Sequence, residues 1–433
     1  MKKITLKDVL RVVQHTMDRV DDRLLNHGEQ VAYLCLRLGR MLGYSEEDLL
    51  SVASLALLHD IGAYKTEDRL QLTEMDVRHP DEHAAYGSIF LREFSPLSSQ
   101  SDVILFHHWR YEDRFKEIDG RLAPQESFLI HAADRLSVLF KRAGMAAGER
   151  IWVELEPLAG SIFQPEIIGL LLRLVHETDL IHGLSSGEYL DEIYDYFDKV
   201  ALSTEQAADH LSTLVYAIDF RSRQTVTHSV SVVSATDLIC DVMGLSPEQR
   251  ETSHIAALLH DVGKIMTPLS VLAKPGRLTE EEMVVMREHV VGTEQILLGA
   301  GLEEIDSIAS YHHERLDGGG YPHGSRADQL PIGARILAVA DRFAALVEPR
   351  YYKSALPKED VLRILGNSAA SNHIDSMVYE VVRDHYDQLM AETSLRQKSM
   401  MVLYERLSAE YLDLTNQMHA VRFGEPWERR RAA

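Results

Sequence analysis

Ala257-Leu258-Leu259-His260-Asp261-Val262-Gly263, in the second half of the chain, is matched in the first half by Ala56-Leu57-Leu58-His59-Asp60-Ile61-Gly62, with Val for Ile the only change. Around each copy the same residue types recur in the same order. The first half runs His27, His59-Asp60, His83, His107-His108, Asp134, and the second runs His228, His260-Asp261, His289, His312-His313, Asp341. An interval of 32 residues separates His27 from His59 and His228 from His260. Glu82-His83 parallels Glu288-His289, and Ala133-Asp134-Arg135 parallels Ala340-Asp341-Arg342. The later intervals drift by a few residues, as surface loops allow. Chance is a poor explanation for seven ligand-type residues appearing twice in one order. The pattern predicts an internal duplication of one module, with a boundary near Lys199 to Thr204.

The module reads as helical. Apolar residues recur at three- and four-residue spacing in Val31 to Leu42, Leu49 to Leu58, Val226 to Val242 and Ile255 to Leu259. Strand-like alternation bounded by hairpin signals is hard to find. Turns are marked by Gly43-Tyr44-Ser45, Asp119-Gly120, Gly244-Leu245-Ser246-Pro247 and Asp317-Gly318-Gly319-Gly320, and Ser45 and Ser246 each precede acidic residues as N-caps do. The expectation is an all-α chain of tandem helical bundles: a first domain over 1–200, a second over 201–390, and a C-terminal helix with a basic tail over 391–433. From Leu395 to Val421, Met400, Met401, Leu403 and Tyr404 are interleaved with charges at helical spacing, which predicts packing against the parent domain. Arg429, Arg430 and Arg431 read as a solvated end.

Composition narrows the function classes. At 433 residues, with 45% hydrophobic and 26% charged, the chain is globular and long enough for two domains. A net charge of -22 argues against broad nucleic-acid binding, which needs a basic surface. An anionic substrate remains compatible, because metal ions and a local Lys/Arg cluster reverse the field inside one cleft. The two cysteines, Cys35 and Cys240, sit in apolar helical stretches and read as buried free thiols of a reducing compartment. The N-terminus lacks the apolar core of a signal peptide, and no apolar run approaches a membrane span, so a cytoplasmic location is expected.

Imidazoles and carboxylates spread over separate helices, with one adjacent His-Asp pair, suit a dinuclear metal centre. A carboxylate such as Asp261 bridges two cations with its two oxygens while neutral imidazoles fill terminal positions. Nitrogen and oxygen ligands without thiolate suit Fe, Mn or Zn and argue against a purely hard-oxygen Mg site. Two neighbouring metals stabilise attacking and leaving oxygens at phosphorus, which makes phosphodiester hydrolysis the natural chemistry. A single His on an apolar helix is more often a core or surface residue than a ligand, and His210, His254 and His373 are read that way.

His260-Asp261-Val262-Gly263-Lys264 resembles the HD signature of the HD phosphohydrolase superfamily. His312-His313-Glu314-Arg315-Leu316-Asp317-Gly318-Gly319-Gly320-Tyr321-Pro322 resembles the HHExxDGxGYP signature of its HD-GYP subfamily at every specified position. The resemblance is strong over about residues 205 to 385, and the first half is similar only as a diverged HD-type domain. It implies a helical bundle that hydrolyses cyclic di-GMP to linear pGpG and onward to GMP, with 3′,3′-cyclic GMP-AMP as the nearest alternative substrate. A cyclic-dinucleotide-binding signalling or interaction module with weak turnover is the non-enzymatic alternative. The metal ligands implied are His228, His260, Asp261, His289, His312, His313 and Asp341, holding two divalent ions, Fe or Mn. Asp261 and Lys264 carry the catalytic role, the lysine offsetting charge on a non-bridging phosphate oxygen. Lys264, Gly320, Tyr321, Pro322, Arg350 and Lys353 are implied as substrate-binding. Tyr321 either packs under a guanine or anchors its loop. The resemblance also makes that loop a docking surface for diguanylate cyclases (GGDEF proteins) and leaves room for a homodimer, with no membrane or nucleic-acid partner. Gln224 and Ala344 stand where third-metal members and many other members carry acids, so two metals are expected and not three.

The first half keeps every ligand-type residue, His27, His59, Asp60, His83, His107, His108 and Asp134, which marks a second candidate metal site. It has Ala63 in the lysine position, and Trp109-Arg110-Tyr111-Glu112-Asp113-Arg114 in place of the glycine-rich loop. Lys141 and Arg142 lie near the position of the basic pair without matching it. A regulatory or structural role is expected for this half in preference to a second catalytic one.

Overall fold

The computed structural model describes residues 3–19, 25–64, 80–223, 225–348 and 356–424. Among them, helices account for the regular structure and only isolated β-bridges are found, so the all-α expectation holds. The chain divides into two compact units. The first comprises Thr5–Ala201 with Leu407–Ala433, and the second Met1–Ile4 with Leu202–Arg406.

In the second unit, Ser246 accepts from the Gln249 N–H at 3.3 Å in a capping box, and Pro247 opens the helix Pro247–Leu259. That helix stops at His260, and the chain tightens into a 3-10 turn, Val262–Met266. The His-Asp pair therefore stands at a helix corner. Thr279 and Glu282 form the capping box of the next long helix, Glu280–Gly299, which carries His289 mid-length. Gly263 explains how the two meet: a Cβ there would lie 2.0 Å from the His289 carbonyl oxygen and 2.6 Å from the Thr293 nitrogen. Only a hydrogen fits in that space. The Thr293 hydroxyl accepts from Gly263 N at 3.1 Å and donates to the His260 carbonyl at 3.0 Å, tying helix to corner. His228 opens the helix His228–Val242, His312-His313 follow the short helix Glu303–Ala309, and Asp341 lies within Ile332–Val347. Ile336, Leu337, Ala340 and Phe343 of that last helix are buried, and burying each large apolar side chain contributes about 1.5–3 kcal/mol.

The first unit repeats the plan. Ser45 caps Glu46–Leu58, whose first turn, Glu46, Glu47 and Asp48, complements the helix dipole. The helix ends at His59 and a 3-10 turn, Ile61–Tyr64, follows. A Cβ on Gly62 would meet the His83 carbonyl oxygen at 1.9 Å, the counterpart of the Gly263 contact. Leu6 N donates to Val200 O at 2.9 Å beside an antiparallel bridge, Thr5 to Ala201.

The C-terminal segment forms one helix, Tyr386–Phe423. Its earlier turns belong to the second unit, where Gln397 donates to Ser231 at 3.0 Å and Tyr404 packs on Phe220. From Leu407 it belongs to the first unit. There Glu410 takes a bidentate pair from Arg92 (2.5 and 2.7 Å), and Arg422 lies 3.0 Å from Asp81. Both cysteines are buried and free. No described helix is long and apolar enough to cross a membrane.

Candidate metal centre

Two groups of three side chains meet in the second unit. Ligand atoms of His228, His260 and Asp261 lie within 4.8 Å of one another, and so do those of His289, His312 and His313. Asp261 faces both groups. Its Oδ2 is 3.4 Å from His228 Nε2 and 3.0 Å from His260 Nε2, while its Oδ1 is 3.3 Å from His289 Nε2. Asp341 also faces both groups, with Oδ1 at 3.1 Å from His228 Nε2 and Oδ2 at 3.9 Å from His313 Nδ1. Lys264 pairs with Asp261 Oδ2.

The tautomers are fixed by the local backbone. Nδ1 of His260, His289 and His312 donates to the carbonyl three residues back, Ala257 (2.8 Å), Met286 (2.5 Å) and Ala309 (2.6 Å). Each Nε2 is then a lone pair, buried without a hydrogen-bond donor. The atoms facing these lone pairs include carboxylate oxygens, which also accept. A buried array of acceptors costs several kcal/mol unless something positive sits among them. Metal–nitrogen bonds of about 2.0–2.1 Å place neighbouring ligand atoms about 3 Å apart, which fits the spacings found here.

Burial, opposed in part by Asp261, brings His289 down to about 3, and burial also lowers His312 and His313. All three imidazoles are neutral at neutral pH. Burial opposes charge on His228 as well, but Glu348, 3.3 Å from its Nδ1, and Asp341 outweigh it and push His228 up to about 10. Burial likewise disfavours charge on Asp261 and Asp341, yet the surrounding imidazoles, with Lys264 at Asp261, hold both carboxyls below their usual range.

A cavity of about 520 Å³ opens over this centre, lined in part by Lys264 and Tyr321. Gly320 and Pro322 are not among its lining residues. The loop owes its shape to Glu314, a buried carboxylate that accepts from the backbone N–H groups of His323 (2.7 Å), Gly324 (3.1 Å) and Ser325 (3.0 Å). Gly318 has positive φ (81°), whereas Gly320 is needed for closeness: a Cβ there would lie 2.5 Å from Arg315 N. The Tyr321 ring packs 4.9 Å from that of His313 and lies under the Arg287 guanidinium at 5.0 Å, contacts suited to holding the loop, and it also lines the cavity. Arg350, Lys353 and Gln224 lie outside the described residues. Ala344 is fully buried.

In the first unit His27, His59, Asp60, His83, His107, His108 and Asp134 also converge, and all seven are buried. Asp60 faces His59 (3.4 Å) and His27 (3.9 Å) with one oxygen and His83 (3.5 Å) with the other. Nε2 of His83 is 3.2 Å from that of His107 and 3.0 Å from that of His108, close enough for the three to share one cation. Burial brings His83 to about 4 and His131, which also packs against His108, to about 3. The differences from the second unit are chemical. Ala63 is buried where the lysine stands, and Arg135 turns inward on Asp134 Oδ2 (2.6 Å), whereas Arg342 turns to Ser368. His27 Nδ1 meets the Ser137 hydroxyl at 2.9 Å, because Lys141 stands in the place of Glu348 and donates to the Leu25 carbonyl.

The HD-domain family profile matches residues 209–378 and, separately, residues 24–139. The chain is a tandem HD-domain protein, its second domain of the HD-GYP type. Such domains bind divalent metals, and the clusters described above suit them. Among its relatives is the 3′3′-cGAMP-specific phosphodiesterase 1 of Vibrio cholerae, 26% identical over 90% of this chain and 95% of that protein. Another is a cyclic di-GMP phosphodiesterase response regulator of Xanthomonas campestris, 35% identical over 48% of this chain and 60% of its own length. The crystal structure of a cyclic GMP-AMP specific phosphodiesterase from V. cholerae superposes with a TM-score of 0.57 at 21% identity, covering 91% of this chain and 98% of that one. That likeness is one of fold.

Glu348, Thr293 and the inward turn of Arg135 escaped the sequence reading. Glu348 had one available signal, its place one helical heptad after Asp341, but Lys141 at the matching position broke the repeat that guided the reading.

Proposed function

We propose that the chain is a metal-dependent phosphodiesterase acting on a cyclic dinucleotide, cyclic di-GMP in the first instance, with its active site in the second unit. The observation that carries this is Asp261, whose two oxygens face two separate sets of imidazole nitrogens beside a lysine. His228, His260, Asp261 and Asp341 would hold one ion, and His289, His312 and His313, with the other oxygens of Asp261 and Asp341, a second. Fe or Mn suits this mixture of imidazole and carboxylate. Bound divalent ions supply Lewis acidity toward a phosphodiester and lower the pKa of the attacking water. Lys264 offsets charge that develops on a non-bridging oxygen. Glu348 holds His228 in orientation, and the Glu314-braced loop sets Tyr321 at the cavity edge. Cyclic GMP-AMP is a second reading, favoured by the near full-length relative specific for that nucleotide. A cytoplasmic location belongs to the same proposal.

Chain purified without oxygen and reloaded with Fe or Mn is expected to convert cyclic di-GMP or cyclic GMP-AMP to linear product, read by chromatography with metal analysis. Asp261→Ala empties the centre and abolishes turnover; Lys264→Ala keeps metal and loses about 10²–10³ in kcat. Full hydrolysis by Asp261→Ala overturns the assignment.

A further inference from the structure

Beside Thr225, Tyr321 and Ala345, the cavity over the candidate centre is lined by two unlike sets of residues. One is the imidazole, carboxylate and lysine group; the other is the single stretch 272–286, which contributes Leu272, Gly276, Arg277, Leu278, Met283 and Met286. That stretch is braced from both ends. Lys274 pairs with both oxygens of Glu282 (2.8 and 2.6 Å), and Glu282 accepts from Thr279 N at 2.7 Å, so the turn carrying Arg277 is held between them. Arg277 is exposed at the cavity, and no carboxylate among the described residues pairs with it. This is an unspent guanidinium on an apolar wall.

We propose that Arg277 and this leucine–methionine wall form a base subsite selective for guanine, a step that rests on the cyclic-dinucleotide reading above. The phosphate end of the substrate is already served by Lys264 and the candidate ligands. What remains of a dinucleotide is a flat aromatic base, and methionine thioethers pack favourably on such faces. A guanidinium fork matches the paired acceptors O6 and N7 of guanine; adenine places an amino donor beside N7 and leaves one N–H of the fork without a partner. A phosphate as Arg277's occupant would make no use of the apolar wall.

The test compares the metal-loaded full chain with Arg277→Ala and Arg277→Lys on cyclic di-GMP, cyclic GMP-AMP and cyclic di-AMP. Both Kd (by calorimetry, under conditions that arrest turnover) and kcat/KM are measured. Wild type is expected to prefer cyclic di-GMP over cyclic di-AMP, and Arg277→Ala to reduce that preference roughly 10-fold or more, through Kd and KM. Arg277→Lys keeps the charge without the fork and is expected not to restore it. Equal losses on all three nucleotides, rescue by lysine, no effect of either variant, or no binding of any of them overturns the subsite. Guanine selectivity in binding that depends on Arg277, found without any hydrolysis, sustains the subsite and overturns the enzyme reading instead.

Discussion

Glu348 holds Nδ1 of His228 at 3.3 Å while the other ring nitrogen faces Asp341 at 3.1 Å. A carboxylate on the far nitrogen fixes the ring and raises its basicity toward whatever the near nitrogen binds. The first unit solves the same problem with the Ser137 hydroxyl, a neutral partner.

Glu348→Ala is therefore expected to weaken metal binding in the second unit about 10- to 100-fold with the fold retained. Calorimetric titration of stripped protein with Mn gives the number. Unaltered affinity would show that the carboxylate is a bystander.

The glycine after each His-Asp pair makes a sharper test of packing. Gly263→Ala must push the Glu280–Gly299 helix away from the His260 corner, and overpacking of this kind costs about 1–3 kcal/mol. Gly169, in the helix Pro165–Glu177, has open space around it, and Gly169→Ala is expected to stabilise by about 0.5–1 kcal/mol. Opposite shifts in melting temperature are the expected outcome; shifts of the same sign contradict the close approach.

Replacing two of the seven ligand-type residues of the first unit, His59→Ala with Asp60→Ala, is expected to lower bound metal while leaving most cyclic-dinucleotide hydrolysis in place. The reason is the missing lysine at Ala63 and the guanidinium on Asp134. Metal analysis and kcat on the same sample decide it, and complete loss of turnover would make the first unit part of the catalytic apparatus.

Asp306, which is not one of the candidate ligands, supplies a pH signature. Burial raises its carboxyl to about 6, against the pull of the Ser310 hydroxyl. Between about pH 4 and 6 the folded chain keeps a proton that the unfolded chain has lost, so this residue subtracts stability as pH rises through that window. Asp306→Asn is expected to be more stable than wild type by about 1–3 kcal/mol at pH 8, with the difference shrinking below pH 4. Denaturant melts at the two pH values check it; a constant difference means that the carboxyl titrates normally.

The fold and the candidate ligand set were legible because both are periodic. Apolar spacing marked the helices, and the duplicated order of His and Asp marked the residues that meet. What stayed hidden depends on direction, which a sequence does not carry. Arg135 and Arg342 occupy equivalent places, yet one turns onto an aspartate and the other onto Ser368. Gly320 reads as a flexible residue, but its use is steric. Nothing in the sequence places the His313 ring and the Arg287 guanidinium against Tyr321. Arg277 looks like any surface cation until the cavity is seen beside it.

The Tyr386–Phe423 helix has a practical corollary for anyone who wishes to study the halves apart. Expression of a piece that stops at residue 390 or 406 strips Glu410, Tyr411 and Arg422 from the first unit, removing a partner from each of Arg92, Tyr86 and Asp81 in the half that was not being cut. Dissection of this protein calls for supplying residues 407–424 to the amino-terminal half as a separate peptide or a permuted tail.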